Sequence, residues 1–185
     1  MAFEFSLFNT AIGCCAVAWN NRGVVGVQLP ESSPAETREL VLRRFPDARQ
    51  SRPPPMVQRA VDGIMLLLGG KASDFSAVAL DMDGVPMFHR RVYEAARRIP
   101  PGATLSYGNL AKRLGPGTSA RAVGQALGRN PFAIVVPCHR VVAAGGKAGG
   151  FSANGGVTTK LRLLEIESGQ ARDTLFRLER AGLEV

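Results

Sequence analysis

Apolar positions in the first third of the chain fall in short runs. Residues 3–8 are apolar and aromatic, though they alternate poorly. Residues 12–19 and 24–29 are rich in strand formers and flank Asn20-Asn21-Arg22-Gly23, a good hairpin turn. The period then lengthens. Pro34 opens a helical pattern through Glu39, Leu40, Val41 and Phe45, which Pro46-Asp47 closes. Beyond the stiff connector Arg52-Pro53-Pro54-Pro55, residues Val57, Ala60, Val61, Ile64, Met65 and Leu68 recur at helical spacing until Gly69-Gly70. Residues 77–80 predict a further short strand. The polar stretch Asp81-Met82-Asp83-Gly84-Val85-Pro86 reads as a domain boundary, giving expected domains 1–84 and 85–185.

Past that boundary the pattern is mainly helical. A helix over 87–98 runs into Ile99-Pro100-Pro101-Gly102. A second, over 107–114, follows Ser106 as N-cap and stops at Gly115-Pro116-Gly117. A third starts near Thr118 or Ser119 and reaches Gly128. Two short helices joined by a tight glycine-containing turn form a helix-turn-helix pattern. The third helix is unusual: Ala122, Gly124, Ala126 and Gly128 are small, and Arg121 is the long side chain near its start. Glycine weakens a helix, so a compensating close approach is expected, either to a neighbouring helix or to DNA with Arg121 probing the duplex. The apolar run 132–136 reads as a buried strand that delivers Pro137-Cys138-His139-Arg140 to the start of a glycine-rich loop.

Composition narrows the classes. The 185 residues suit one large domain or two small ones, with 45% hydrophobic and 21% charged residues, as in ordinary soluble proteins. No apolar run approaches a membrane span. Three cysteines without a C-x-x-C pair, and only His89 and His139 for histidines, argue against a disulfide framework and against a metal site. Cys14 and Cys15 read as packing residues of a strand. A reducing, cytoplasmic setting is the simplest expectation. The net charge of +8 is unevenly spread: residues 1–86 hold eight basic and nine acidic side chains, and residues 87–185 hold fifteen and six. A polyanion partner is therefore expected for the second half. Cys138 beside His139 becomes chemically interesting in that half, because a thiol attacks only as thiolate and a base or positive charge favours that form. A Cys-His pair alone is as readily a packing feature.

Four segments together are more specific. Pro101-Gly102-Ala103-Thr104-Leu105-Ser106-Tyr107-Gly108, Ala120-Arg121-Ala122-Val123-Gly124, Asn130-Pro131 and Pro137-Cys138-His139-Arg140-Val141 resemble, in order and spacing, the O6-alkylguanine-DNA alkyltransferases. The resemblance is strong over residues 99–167 and loose before. It implies an α+β chain: a ribonuclease-H-like α/β N-terminal domain, then a mainly helical, winged-helix-like DNA-binding catalytic domain. It implies transfer of the alkyl group of O6-alkylguanine in double-stranded DNA, with O4-alkylthymine a second candidate, to Cys138 in a single turnover. No cofactor is implied; a monomer is expected.

The resemblance also assigns roles. Cys138 is the acceptor, His139 the base acting through water, and Glu167 the carboxylate orienting His139, with Glu165 a nearby competitor. Asn130 braces the active-site turn, and Tyr107 contacts the leaving guanine or its phosphate. Arg121 fills the stack left by a flipped base, on a helix whose Ala122 and Gly124 meet the minor groove. Val141, Phe151 and Ser152 belong to the base pocket, and Lys112, Arg113 and Arg140 are candidate phosphate or structural contacts. Three features depart from the family pattern: Phe151 where tyrosine is frequent, Ser168 where glycine is usual, and a lid loop about two residues longer. The rival readings are a binding-only damage sensor, a helix-turn-helix regulator and a thiol hydrolase.

Overall fold

The computed structural model describes residues 2–169, and these form two compact units. The first is built on Met1–Gly69 and Ser73–Asp83 and also takes in Pro131–Val135. Its sheet has the order β3-β2-β1-β4, with β1 (Glu4–Thr10), β2 (Gly13–Asn20) and β3 (Gly23–Gln28) antiparallel and the short β4 (Arg49–Gln50) parallel to β1. The predicted hairpin turn forms. The Asn20 side-chain oxygen accepts hydrogen bonds from the backbone N–H of Arg22 (2.8 Å) and Gly23 (3.2 Å). Gly23 is required there: its φ is +152°, and a Cβ would collide with the Ala79 carbonyl.

Both faces of this sheet are covered. On one, Val41 of α1 (Pro34–Arg44) packs with Phe5, Ala16, Ala18 and Val25. The alternate residues Cys15, Val17 and Trp19 are buried as well, and α2 (Pro55–Leu68) packs on β1 and β3. The near-continuous burial of β2 therefore reflects two covered faces.

Two predicted strands do not form. Residues 77–80 touch the sheet only where Leu80 bridges Val24, flanked by hydrogen bonds from Val24 N–H to Ala79 (3.0 Å) and from Asp81 N–H to Val24 (2.8 Å). The run 132–136 is buried but is no strand. Phe132 makes a lone bridge to Val27, and the chain then reverses at Ile134, whose φ is +70°, with Val135 N–H bonded to the Ala133 carbonyl at 2.9 Å. A left-handed β-branched residue costs about 1–2 kcal/mol. Burying an isoleucine gains about 1.5–3 kcal/mol, so burial wins; Ile134 is 1% exposed. The apolar run encodes burial, and a buried turn satisfies that as well as a strand would.

The second unit holds Gly70–Ala72, Gly84–Asn130 and, among the described residues, 136–169. Helices α3 (Met87–Arg97), α4 (Tyr107–Leu114) and α5 (Ala120–Gly128) pack on one another around Val92, Tyr93, Ala96, Leu110, Val123 and Ala126. The Tyr93 hydroxyl donates to the Ala126 carbonyl at 3.0 Å. Ser106 caps α4 through Asn109 N–H and Ser119 caps α5 through Ala122 N–H, both at 3.1 Å. Two-residue strands β5 (Leu105–Ser106) and β6 (Val141–Val142) pair in parallel, one leading directly into Tyr107 and the other beginning after a single 3₁₀ turn, Cys138–Arg140. Helix α6 (Gly156–Ser168) packs on that turn. Among the described residues no helix is long and apolar enough to cross a membrane.

Candidate functional site

Cys138 opens a 3₁₀ turn at the floor of a cavity of about 380 Å³, a size typical of small-molecule sites. Tyr107, Gly124, Leu127, Gly128, Gly150, Phe151 and Ser152 complete its lining. The turn is entered tightly: Pro137 has φ −80° and ψ 67°, and Cys138 N–H bonds back to the Val136 carbonyl at 2.8 Å. Asn130 braces this entry. Its amide donates to the Val136 carbonyl at 2.9 Å and its side chain also hydrogen-bonds the Cys138 thiol. Burial pushes the thiol pKa up, opposed by the Asn130 hydrogen bond and the positive charge of Lys160. The resting form is the thiol, and a base is needed to ionise it.

The candidate for that base stands next in sequence. His139 is 1% exposed, and its Nε2 lies 2.7 Å from Glu167 Oε1. Glu167, and not Glu165, is its carboxylate partner. Arg140 grips the same carboxylate in a two-pronged pair, Nε to Oε2 and Nη2 to Oε1, both 2.8 Å. The backbone N–H of Gly102 adds a fourth hydrogen bond to Oε2 at 3.2 Å, and Arg140 Nη1 donates to the Ile99 carbonyl. Burial alone would raise the Glu167 pKa, but the His139 and Arg140 hydrogen bonds and charges outweigh it and hold it at about 2. His139 moves the other way: burial drives its pKa down despite Glu167. A neutral imidazole facing a carboxylate donates from Nε2, which leaves Nδ1 with its lone pair. Nδ1 is buried and has no hydrogen-bond partner among the described residues. The Nδ1 lone pair can accept a proton.

The remaining expected residues divide. Tyr107, the first residue of α4, lines the cavity and lies against Gly124, where a Cβ would stand 3.8 Å from its ring. The small face of α5 thus makes room for Tyr107 and for the cavity. Arg121 is exposed in the first turn of α5, and Ala122 is half-buried outside the cavity lining. Phe151 and Ser152 line the cavity from the lid loop, whereas the Val141 side chain is fully buried and does not. Arg140, at 3% exposure, is structural and cannot reach a phosphate; Lys112 and Arg113 are exposed. Among the described residues no cluster of three His, Cys, Asp or Glu could hold a metal. Sequence reasoning missed Leu127, Gly128 and Gly150 of the lining, and it missed Lys160, which is fully buried with its ammonium 2.6 Å from the Val141 carbonyl. Spacing would have found two of them: Gly128 is four residues past Gly124 on one helix face, and Lys160 is seven before Glu167.

Comparison with known proteins identifies the family. Residues 87–169 match the family model described as the 6-O-methylguanine DNA methyltransferase, DNA binding domain. The methylated-DNA–protein-cysteine methyltransferase of Methanothermobacter thermautotrophicus is 38% identical over 151 residues, 82% of this chain and 77% of that one. The crystal structure of Mycobacterium tuberculosis O6-methylguanine methyltransferase superposes with a TM-score of 0.71 at 35% identity, covering 94% and 99% of the two chains. A structure of the Mycobacterium tuberculosis protein in complex with DNA matches with the same TM-score at 34% identity and the same coverages. A thiol at the floor of a cavity, backed by a neutral histidine on a buried carboxylate, thus sits in a chain that belongs to the methylated-DNA–protein-cysteine methyltransferase family.

Proposed function

We propose that this protein repairs O6-alkylguanine in double-stranded DNA by moving the alkyl group onto Cys138, once per molecule. The observation that carries the reading is the Cys138 thiol in the cavity lining, followed in sequence by a buried His139 paired with Glu167. His139 Nδ1 takes the thiol proton through a bridging water, and Glu167 stabilises the imidazolium that results. The thiolate sulfur then attacks the alkyl carbon. A sulfur–carbon bond forms, the carbon–O6 bond breaks, and its electron pair leaves with guanine. Tyr107, on the cavity wall, hydrogen-bonds the base as that charge develops, and protonation gives ordinary guanine. The thioether is stable and nothing in the reaction regenerates the thiol, so the protein is consumed stoichiometrically. O4-alkylthymine, carrying the same kind of alkyl–oxygen bond, is a second candidate substrate.

A base within a duplex cannot reach a thiol at the floor of a cavity, so the lesion must be flipped out. Arg121 on α5 is our candidate for filling the gap, with Ala122 and Gly124 permitting close approach in the minor groove. Backbone groups near Val141 and Ser152 read the guanine edge, and Phe151 stacks on it. We read the second unit as a winged-helix-like DNA-binding domain and the first as ribonuclease-H-like.

The test is stoichiometric. Protein mixed with a duplex carrying O6-methylguanine should gain one methyl group, located on Cys138 by peptide mass, and saturate at one per molecule. DNA binding without any mass gain would instead favour a damage sensor. Repeated turnover would favour a hydrolase.

A further inference from the structure

We infer that Gln125 is a sequence-reading residue of the DNA complex: it makes a two-pronged contact to the minor-groove edge of a guanine near the lesion. The inference rests on the reading above that α5 meets the minor groove. The helical repeat puts Arg121, Gly124, Gln125 and Gly128 on one face of α5, while Val123, Ala126 and Leu127 are buried on the other side. Gly124 and Gly128 line the cavity. Arg121 and Gln125 are exposed, and neither side chain makes a hydrogen bond or ion pair with a described residue. An exposed glutamine on a helix is ordinary; the face it occupies is not. Two of the four residues there are glycines, so Arg121 and Gln125 supply all the reach that face has.

Helix geometry and groove chemistry then fix what Gln125 can read. A minor groove about 6 Å wide excludes a helix clothed in long side chains, about 10–12 Å across, so only a nearly bare face comes close. Arg121 and Gln125 are one turn apart, with Cβ atoms about 5–6 Å from each other. Base pairs stack about 3.4 Å apart. Gln125 therefore reaches a pair within about two steps of the gap assigned to Arg121. Every pair offers an acceptor there, purine N3 or pyrimidine O2, but only G·C adds a donor, the guanine N2 amino group. A glutamine amide carries both an acceptor and donors. Its Nε2 donates to guanine N3 while its Oε1 accepts from the N2 amino group. At an A·T pair the Oε1 meets no donor, so the contact favours guanine and depends on that amino group.

The experiment moves a G·C pair through each position within about two steps of O6-methylguanine in duplexes otherwise flanked by A·T. Affinity and subsaturating single-turnover transfer are measured on each. At one position the parent should bind and transfer about tenfold better with G·C than with A·T. Inosine in place of that guanine, lacking the N2 amino group, should remove the gain. The base 2,6-diaminopurine opposite thymine, which carries the amino group, should bring it back. Gln125→Ala should show neither response while keeping the parent's circular dichroism, since residue 125 is exposed. Any effect of neighbouring pairs on the cost of flipping persists in Gln125→Ala, so the difference between the two proteins isolates the contact. A parent that ignores the amino group at every position, or a response that survives in Gln125→Ala, would overturn the inference. If no methyl group reaches Cys138 yet affinity keeps the Gln125-dependent response, the transfer reading has failed and the contact has not.

Discussion

At the scale of single residues, Glu167 joins stability to chemistry. Its carboxylate takes four hydrogen bonds from three residues: the Gly102 backbone, His139 and both prongs of Arg140. The folded pKa of about 2 lies below the ordinary 4.5, so the native state binds this proton less readily than the unfolded chain. The stabilisation is complete above about pH 4.5 and is lost as pH falls towards 2, amounting to on the order of 3 kcal/mol. Asp81 adds a loss of the same sign: burial would raise its pKa, but hydrogen bonds from Asn20, Asp83 and Arg22 lower it. Urea midpoints measured between pH 7 and pH 2 should fall across that window, with a shallower fall in Glu167→Gln. The same variant should be less stable at pH 7 by about 3 kcal/mol, because it leaves the buried Arg140 without its charge partner. Its methyl transfer should slow most where His139 must act as base. A variant with unchanged stability and unchanged transfer would remove Glu167 from both roles. The identity of this carboxylate was half legible in sequence: counting along the last helix offered Glu167 and Glu165, and only the fold picks the one that meets His139.

At the scale of elements, short pieces carry the site. The two-residue ladder between β5 and β6 ties the start of α4, with Tyr107, to the chain leaving Cys138. The lid leans on the same tyrosine: Gly149 has φ +70°, and a Cβ there would stand 3.0 Å from the Tyr107 ring. Gly149→Ala should therefore cost about 1 kcal/mol or more in thermal unfolding and slow transfer by displacing Tyr107. A variant equal to the parent in both assays would show that the lid yields freely. On α5, Arg121→Ala should leave the free protein's stability within about 0.5 kcal/mol, since the residue is exposed. It should slow transfer from duplex DNA while sparing transfer from single strands, where nothing has to be flipped; equal rates on duplex for parent and variant would end that assignment. The helices were legible because capping serines, breakers and apolar period agree, and α4 spans the predicted 107–114. Strands β4, β5 and β6 were not. Two residues are too few for any period, and their pairing comes from distant parts of the chain.

At the scale of the whole molecule, charge is the property to test. The excess of basic residues over 87–185 predicts that duplex association weakens as salt rises, by a slope of about 0.9 in log affinity per log salt for each phosphate neutralised. Titrations at several salt concentrations measure it, and a flat response would rule out a phosphate-based grip. Sequence alone determined the helical elements, the charge asymmetry, the Cys138-His139-Arg140 run and the motif set that marks the family, because each is written in local spacing or in composition. Tertiary structure decided what contact at long range must decide. It turned the run 132–136 from a strand into a buried reversal at Ile134, since burial and not a ladder is what that run encodes. It withdrew Arg140 from the surface and closed it on Glu167. It also buried Lys160 with its ammonium on the Val141 carbonyl, where no spacing around Cys138 itself would have pointed.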